Sequence, residues 1–136
     1  MNILLVEDEA LIAMEQQLYL EEAGHSVTGP ATHAAAALTM AASRRHDLAL
    51  VDVHLARDTN GIMVARELTG MGVPCLFVTS HPEEAQASGY GLGCLIKPFS
   101  QEELTRSVEL ALEIAAGRQA ALAPASAPPR NLLLFG

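Results

Sequence analysis

A chain of 136 residues, half of them hydrophobic, can build one domain with a real core, and it holds no run near the roughly eighteen apolar residues of a membrane helix. A formal charge of −8 argues against nucleic acid as a direct partner, because phosphate neutralisation needs a basic face. No basic N-terminal region or cleavage pattern precedes the first apolar run, and Cys75 and Cys94 sit in apolar contexts as reduced core thiols, so a cytoplasmic location is expected.

Residues 2–6, with the apolar run Ile3–Val6, are expected as the first strand. From Glu9 to about Ala23 the spacing turns helical, with Leu11 and Leu18, and Ile12 and Tyr19, each recurring at an interval of seven, and Gly24 stops it as a C-terminal cap would. Residues 25–29 form a weaker strand centred on Val27 and broken by Gly29-Pro30. The alanine-rich stretch Ala34 to Ala42 has high helix propensity and ends near Arg44-Arg45, cations that suit a helix C-terminus. Leu48–Val51 is a buried strand ending in Asp52, and a helix opens near Gly61 and runs to about Thr69.

Gly70 to Pro74 is a loop, and Cys75–Val78 is a fourth strand. Pro82 to Tyr90 holds two turns of helix at most before Gly89, Gly91 and Gly93 interrupt it. Cys94–Ile96 is a fifth strand. Ser100 with Glu103 makes a capping box that opens a last helix, whose inward stripe is Leu104, Val108, Ala111, Leu112 and Ala115. Five strands alternating with five helices predict a flavodoxin-like, doubly wound α/β fold with a five-stranded parallel sheet in the order 2-1-3-4-5 and a shortened fourth helix.

In that topology the carboxyl ends of the strands meet at one edge, delivering Glu7, Asp8, Asp52, Thr79 and Lys97 to a common crevice. Gathered carboxylates repel and raise one another's pKa unless a cation intervenes, and an all-oxygen set suits the hard ion Mg²⁺. Asp8 and Asp52 are expected to bind it directly, Glu7 through water, and the His54 backbone carbonyl to complete the shell. Asp52 keeps an oxygen free to attack phosphorus, while Thr79 offers a hydroxyl and Lys97 a point charge. Lys97 is the single lysine beside seven arginines, a poor candidate for mere solubility.

The acidic pair Glu7-Asp8, Asp52, Thr79-Ser80 and Lys97-Pro98-Phe99 at successive strand ends resemble the receiver domain of two-component response regulators over about residues 1–117. The resemblance implies that Asp52 accepts phosphate from a histidine kinase or histidine phosphotransfer protein, that Glu7 and Asp8 hold Mg²⁺, and that Thr79 and Lys97 sense the phosphoryl group. Three features depart from the usual pattern. Cys94 stands where most receivers have an aromatic switch residue, Ala56 replaces a proline after the aspartate, and the loop runs one residue longer before Gly61. Pro74 to Ser80 resembles the motif of the atypical "FAT GUY" receivers, which also lack the aromatic. The switch region is therefore read as Thr79, Ser80, His81 and Cys94, with a mobile segment 80–93 carrying the signal.

The expected role is a signalling phosphoacceptor rather than a metabolic enzyme, one that catalyses only its own phosphoryl transfer and hydrolysis. His54 and His81 are read as exposed groups that can tune attack by water. The alternative is a phosphate-independent protein-interaction module on the same fold, against which the intact acid–Thr–Lys set argues. An aspartyl phosphatase would want a second aspartate where His54 stands. The receiver is placed at 1–118 and a tail at 119–136, with no output domain following, so output through protein binding or phosphate relay is expected, and a weak homodimer is left open. The tail has a linker composition of Ala and Pro and closes on the apolar Asn131–Gly136, read as a disordered end or as a segment docked on its own domain or a neighbour.

Overall fold

The computed structural model describes residues 1–55, 59–117 and 128–135. Its elements alternate as β1 (Asn2–Val6), α1 (Ala10–Glu22), β2 (Ser26–Ala31), α2 (Ala34–Ser43), β3 (Leu48–Asp52), α3 (Gly61–Gly70), β4 (Cys75–Thr79), α4 (Pro82–Ala87), β5 (Gly93–Ile96) and α5 (Gln101–Ala115), and a short β6 (Leu132–Leu134) follows. The first five strands are parallel in the expected order, and the whole sheet reads β2-β1-β3-β4-β5-β6. The sixth strand, antiparallel to β5, enlarges the five-stranded sheet read from the sequence. The boundary at 118/119, the Ala/Pro-rich stretch after it and Ala56 lie outside the described residues.

The central strands are apolar throughout because both faces of the sheet are covered, as parallel sheets require. Leu4, Val6, Ala49, Val51, Cys75, Phe77 and Cys94 face the layer that holds α2, α3 and α4. Ile3, Leu5, Leu48, Leu50, Leu76, Val78 and Leu95 face α1 and α5. Helix α5 opens on the expected capping box, with Ser100 Oγ accepting from the Glu103 N–H and the Glu103 carboxylate accepting from the Ser100 N–H. Helix α4 is six residues long, as short as the glycines after it imply.

Two local expectations are corrected, and the structure settles which side of α1 faces inward. Helix α1 buries Ala13, Gln16 and Leu20, while Leu11 and Leu18 point to solvent and Ile12 and Tyr19 are half-buried. Apolar residues lie on two sides of this helix, so spacing alone does not choose the inner one, and small Ala13 sits within the sheet-facing cluster. Strand β2 runs through Gly29-Pro30 rather than breaking there, because Gly29 adopts φ 113° hard against the Leu5 carbonyl, where a Cβ would sit 2.6 Å from the oxygen. Ala115 of α5 is exposed, and Ser107 and Leu110 are buried instead.

Candidate functional site

Each strand of the predicted set ends at or just before its candidate residue. β1 stops at Val6, so Glu7 turns inward and is 1% exposed, while Asp8 is half-buried beside it. Asp52 closes β3 at 5% exposure and pairs in register with Val78 of β4. Thr79 ends β4 fully enclosed, and its carbonyl accepts the Lys97 N–H at 3.0 Å, which fixes the height at which the lysine leaves β5.

The loop after Asp52 folds back on it. Leu55 N–H donates to the Thr59 carbonyl, Gly61 N–H donates to the Val53 carbonyl at 2.7 Å, and Asn60 caps α3 by accepting the Ile62 N–H at 2.7 Å. Gly61 has no substitute in this geometry, since a Cβ there would overlap the Asp52 carbonyl. The His54 N–H donates to Asp52 Oδ1 at 3.1 Å, which orients the carboxylate.

Lys97 Nζ donates to Asp52 Oδ2 at 3.0 Å and to Glu7 Oε1 at 3.4 Å, with its own side chain 15% exposed. Oxygens of Glu7, Asp8 and Asp52 lie within 4.8 Å of one another, as a single hard cation would require. Burial first, then Asp52 by hydrogen bonding and by charge, pushes the Glu7 carboxyl up to about 7, against the opposing pull of Lys97 and of the Glu9 N–H. Burial draws the Lys97 ammonium down, but its bonds and ion pairs with Asp52 and Glu7 outweigh that and hold it above its ordinary value. One ammonium thus shares a buried corner with two carboxylates, leaving negative charge for a further cation to neutralise.

Of the residues read as a switch region, Thr79, Ser80 and His81 lie beside this corner. Thr79 Oγ1 accepts the His81 N–H at 3.0 Å, and Ser80 and His81 are exposed above it. The His54 ring stands edge-on to His81 with centroids 5.0 Å apart, and its Nε2 lies 3.2 Å from Glu84 Oε2 on α4. Sequence reasoning missed Glu84, whose only signal is its place at the start of the helix that follows His81. Cys94 is buried in the sheet opposite Phe77, away from the acidic corner, and Cys75 lies opposite Ala49, so the thiols are not paired across the two strands. Burial pushes them up to about 12 for Cys75 and about 11 for Cys94, which keeps both protonated and unreactive. Among the described residues no helix is long and apolar enough to cross a membrane.

The profile of the response regulator receiver domain matches residues 3–109. The phyllosphere-induced regulator PhyR of Methylorubrum extorquens is 39% identical over 84 residues, covering 60% of this chain and 32% of that protein. The transcriptional regulatory protein PdtaR of Mycobacterium tuberculosis is 33% identical over 117 residues, covering 82% of this chain and 56% of that protein. The chain therefore spans about a third of one curated relative and just over half of the other. Among solved structures, the PhyR receiver domain of Erythrobacter litoralis superposes with a TM-score of 0.74 at 30% identity, covering 82% of this chain and 88% of that one.

Proposed function

The chain belongs to the response regulator receiver domain family, and we propose from that premise that it is a phosphoacceptor whose Asp52 takes a phosphoryl group from a histidine kinase or a histidine phosphotransfer protein. The observation that carries this reading is Lys97, bonded at once to Asp52 and Glu7 beside Asp8 in a buried corner of a signalling domain. A decayed, purely adhesive domain has no need to keep an ammonium and three acids in that arrangement.

Glu7, Asp8 and Asp52 would hold Mg²⁺, with the His54 backbone carbonyl as a further oxygen, and the raised Glu7 value fits a site shaped for an added cation. When bound, the ion supplies charge neutralisation for the acids and the incoming phosphoryl oxygens. The chain's own residues do the rest. The His54 N–H orients the Asp52 carboxylate, an oxygen of which bonds to phosphorus as the phosphorus–nitrogen bond of the donor imidazole breaks and its electron pair returns to nitrogen. Lys97 exchanges its bond to the carboxylate for one to a phosphoryl oxygen, and Thr79 offers its hydroxyl. His54, His81 and Glu84 stand over the product and govern access of water during slow hydrolysis.

Donor docking has a surface beside this corner. On α1, which starts three residues after Glu7, the exposed Leu11, Met14 and Leu18 follow a spacing of three and four and suit the apolar face of a helical donor. The unpaired buried thiols suit a reducing, cytoplasmic setting. The test is an NMR titration with beryllofluoride and Mg²⁺. Saturable shifts centred on Asp52, Thr79 and Lys97, lost in Asp52→Ala, are expected. A silent spectrum would favour the phosphate-independent interaction module instead.

A further inference from the structure

The sheet edge that β5 would expose is closed by the chain's own C-terminus. β6 runs antiparallel along it, with Gly93 opposite Leu134, Cys94 opposite Leu133 and Leu95 opposite Leu132. The ladder continues beyond the strand, as Ile96 N–H donates to the Asn131 carbonyl at 2.8 Å and Phe135 N–H donates to the Leu92 carbonyl at 3.0 Å. Side chains alternate between layers, Leu132 and Leu134 joining the α1–α5 side and Phe135 the other.

One glycine and one loop of the receiver serve this edge in particular. A Cβ on Gly93 would meet the Leu133 carbonyl oxygen at 2.5 Å, Leu134 Cα at 3.2 Å and Leu134 Cδ2 at 3.3 Å, so its nearest neighbours all belong to β6. Its backbone is not in the left-handed region, so close approach of a strand, rather than the local turn, is what the missing side chain serves. The loop holding Lys97 is the second link. Asn131 Nδ2 donates to the Ile96 carbonyl at 3.2 Å and to the Pro98 carbonyl at 3.4 Å, the two carbonyls that flank the lysine bonded to Asp52.

We propose that the outer edge of β5 is an acceptor site for an extended apolar strand of a partner protein, that Asn131–Phe135 fills it in the resting chain, and that Asn131 links its release to the Asp52 site. The link rests on the phosphoacceptor reading above, whereas the acceptor edge does not. Strand addition fits because the ladder supplies backbone bonds and the two layers select alternating apolar side chains, so a charged or proline-containing strand is rejected. β6 has only three paired residues, which makes it easy to displace. Both Asn131 bonds are long and depend on two carbonyls staying close together, so an advance of Lys97 towards a phosphoryl oxygen breaks at least one and loosens the strand.

The test uses the full chain and, as probe, a synthetic peptide with the sequence of residues 131–135. Leu133→Asp weakens the resident strand, and this variant is expected to bind the peptide at least about tenfold tighter than the wild type. Adding Gly93→Ala to it is expected to abolish peptide binding, since the new Cβ collides with the incoming strand's carbonyl. With beryllofluoride and Mg²⁺, the wild-type amides of Leu133 and Phe135, which lie on the β5 side of the strand, are expected to exchange about tenfold faster, an acceleration absent from Asn131→Ala. A Leu133→Asp chain with β1 to β5 intact by NMR that ignores the peptide overturns the acceptor edge. Beryllofluoride binding with unchanged β6 exchange overturns the link and leaves the phosphoacceptor reading standing. No beryllofluoride binding at all overturns that reading and the link together, and the peptide arm still judges the edge.

Discussion

Replacing Glu7 by Gln should stabilise the metal-free protein while weakening its site. Glu7 is 1% exposed beside Asp52, and its carboxyl is pushed from 4.5 up to about 7. For an acid raised in this way, the folded chain keeps a proton that the unfolded chain has already released. Stability is therefore greatest below about pH 4.5, falls as pH rises towards about 7, and stays reduced above that. At about 1.36 kcal/mol per pH unit, the interval from 4.5 to about 7 corresponds to at most about 3 kcal/mol, and relaxation around an ionised Glu7 lowers it towards about 1. Glu7→Gln carries no such penalty, so its advantage over the wild type should be absent near pH 4.5 and reach about 1–3 kcal/mol near pH 8. Mg²⁺ should shrink that advantage by favouring the ionised wild-type site. Urea unfolding at acidic, neutral and alkaline pH, with and without Mg²⁺, measures it. A stability difference independent of pH would refute the reasoning.

Other consequences are simpler to test. Gly61→Ala forces a Cβ into the Asp52 carbonyl, so it should cost roughly 2 kcal/mol or more in stability and slow phosphoryl uptake with Asp52 itself unaltered, read by denaturation and by mass spectrometry. His54→Ala removes the contacts with Glu84 and His81 but not the backbone N–H that orients Asp52. It should leave uptake intact and shorten the life of the phosphorylated form about two- to tenfold, followed by intact mass over time. Cys75 and Cys94 should resist an aromatic disulfide reagent at neutral pH until the chain is unfolded; prompt labelling of the native protein would show that their burial is not maintained.

The sequence disclosed those parts of the molecule that obey strong local rules. Apolar runs that end in Glu7, Asp52, Thr79 and Lys97 mark both the strand and the residue it delivers, and Ser100 with Glu103 marks the start of α5. Where two rules competed, the text was ambiguous. Leu11 and Leu18 share the helical period with the buried line of α1, and only the tertiary surroundings select Ala13, Gln16 and Leu20. Gly29-Pro30 looks like a break, yet a glycine at positive φ lets β2 continue past Leu5. The pairing of β6 depends on a partner strand nearly forty residues earlier, and its signal in the sequence is a glycine at position 93 whose purpose emerges only beside Leu133. Glu84 was silent for a similar reason, since its contact with His54 joins a loop to a helix distant in the chain.

The most direct test of the central claim is intact mass after incubation with acetyl phosphate, for the wild type and Asp52→Asn, with Mg²⁺ or with EDTA. One phosphoryl group on the wild type with Mg²⁺, and none in the other three samples, is the expected result. An adduct that persists on Asp52→Asn, or that forms equally in EDTA, would contradict it.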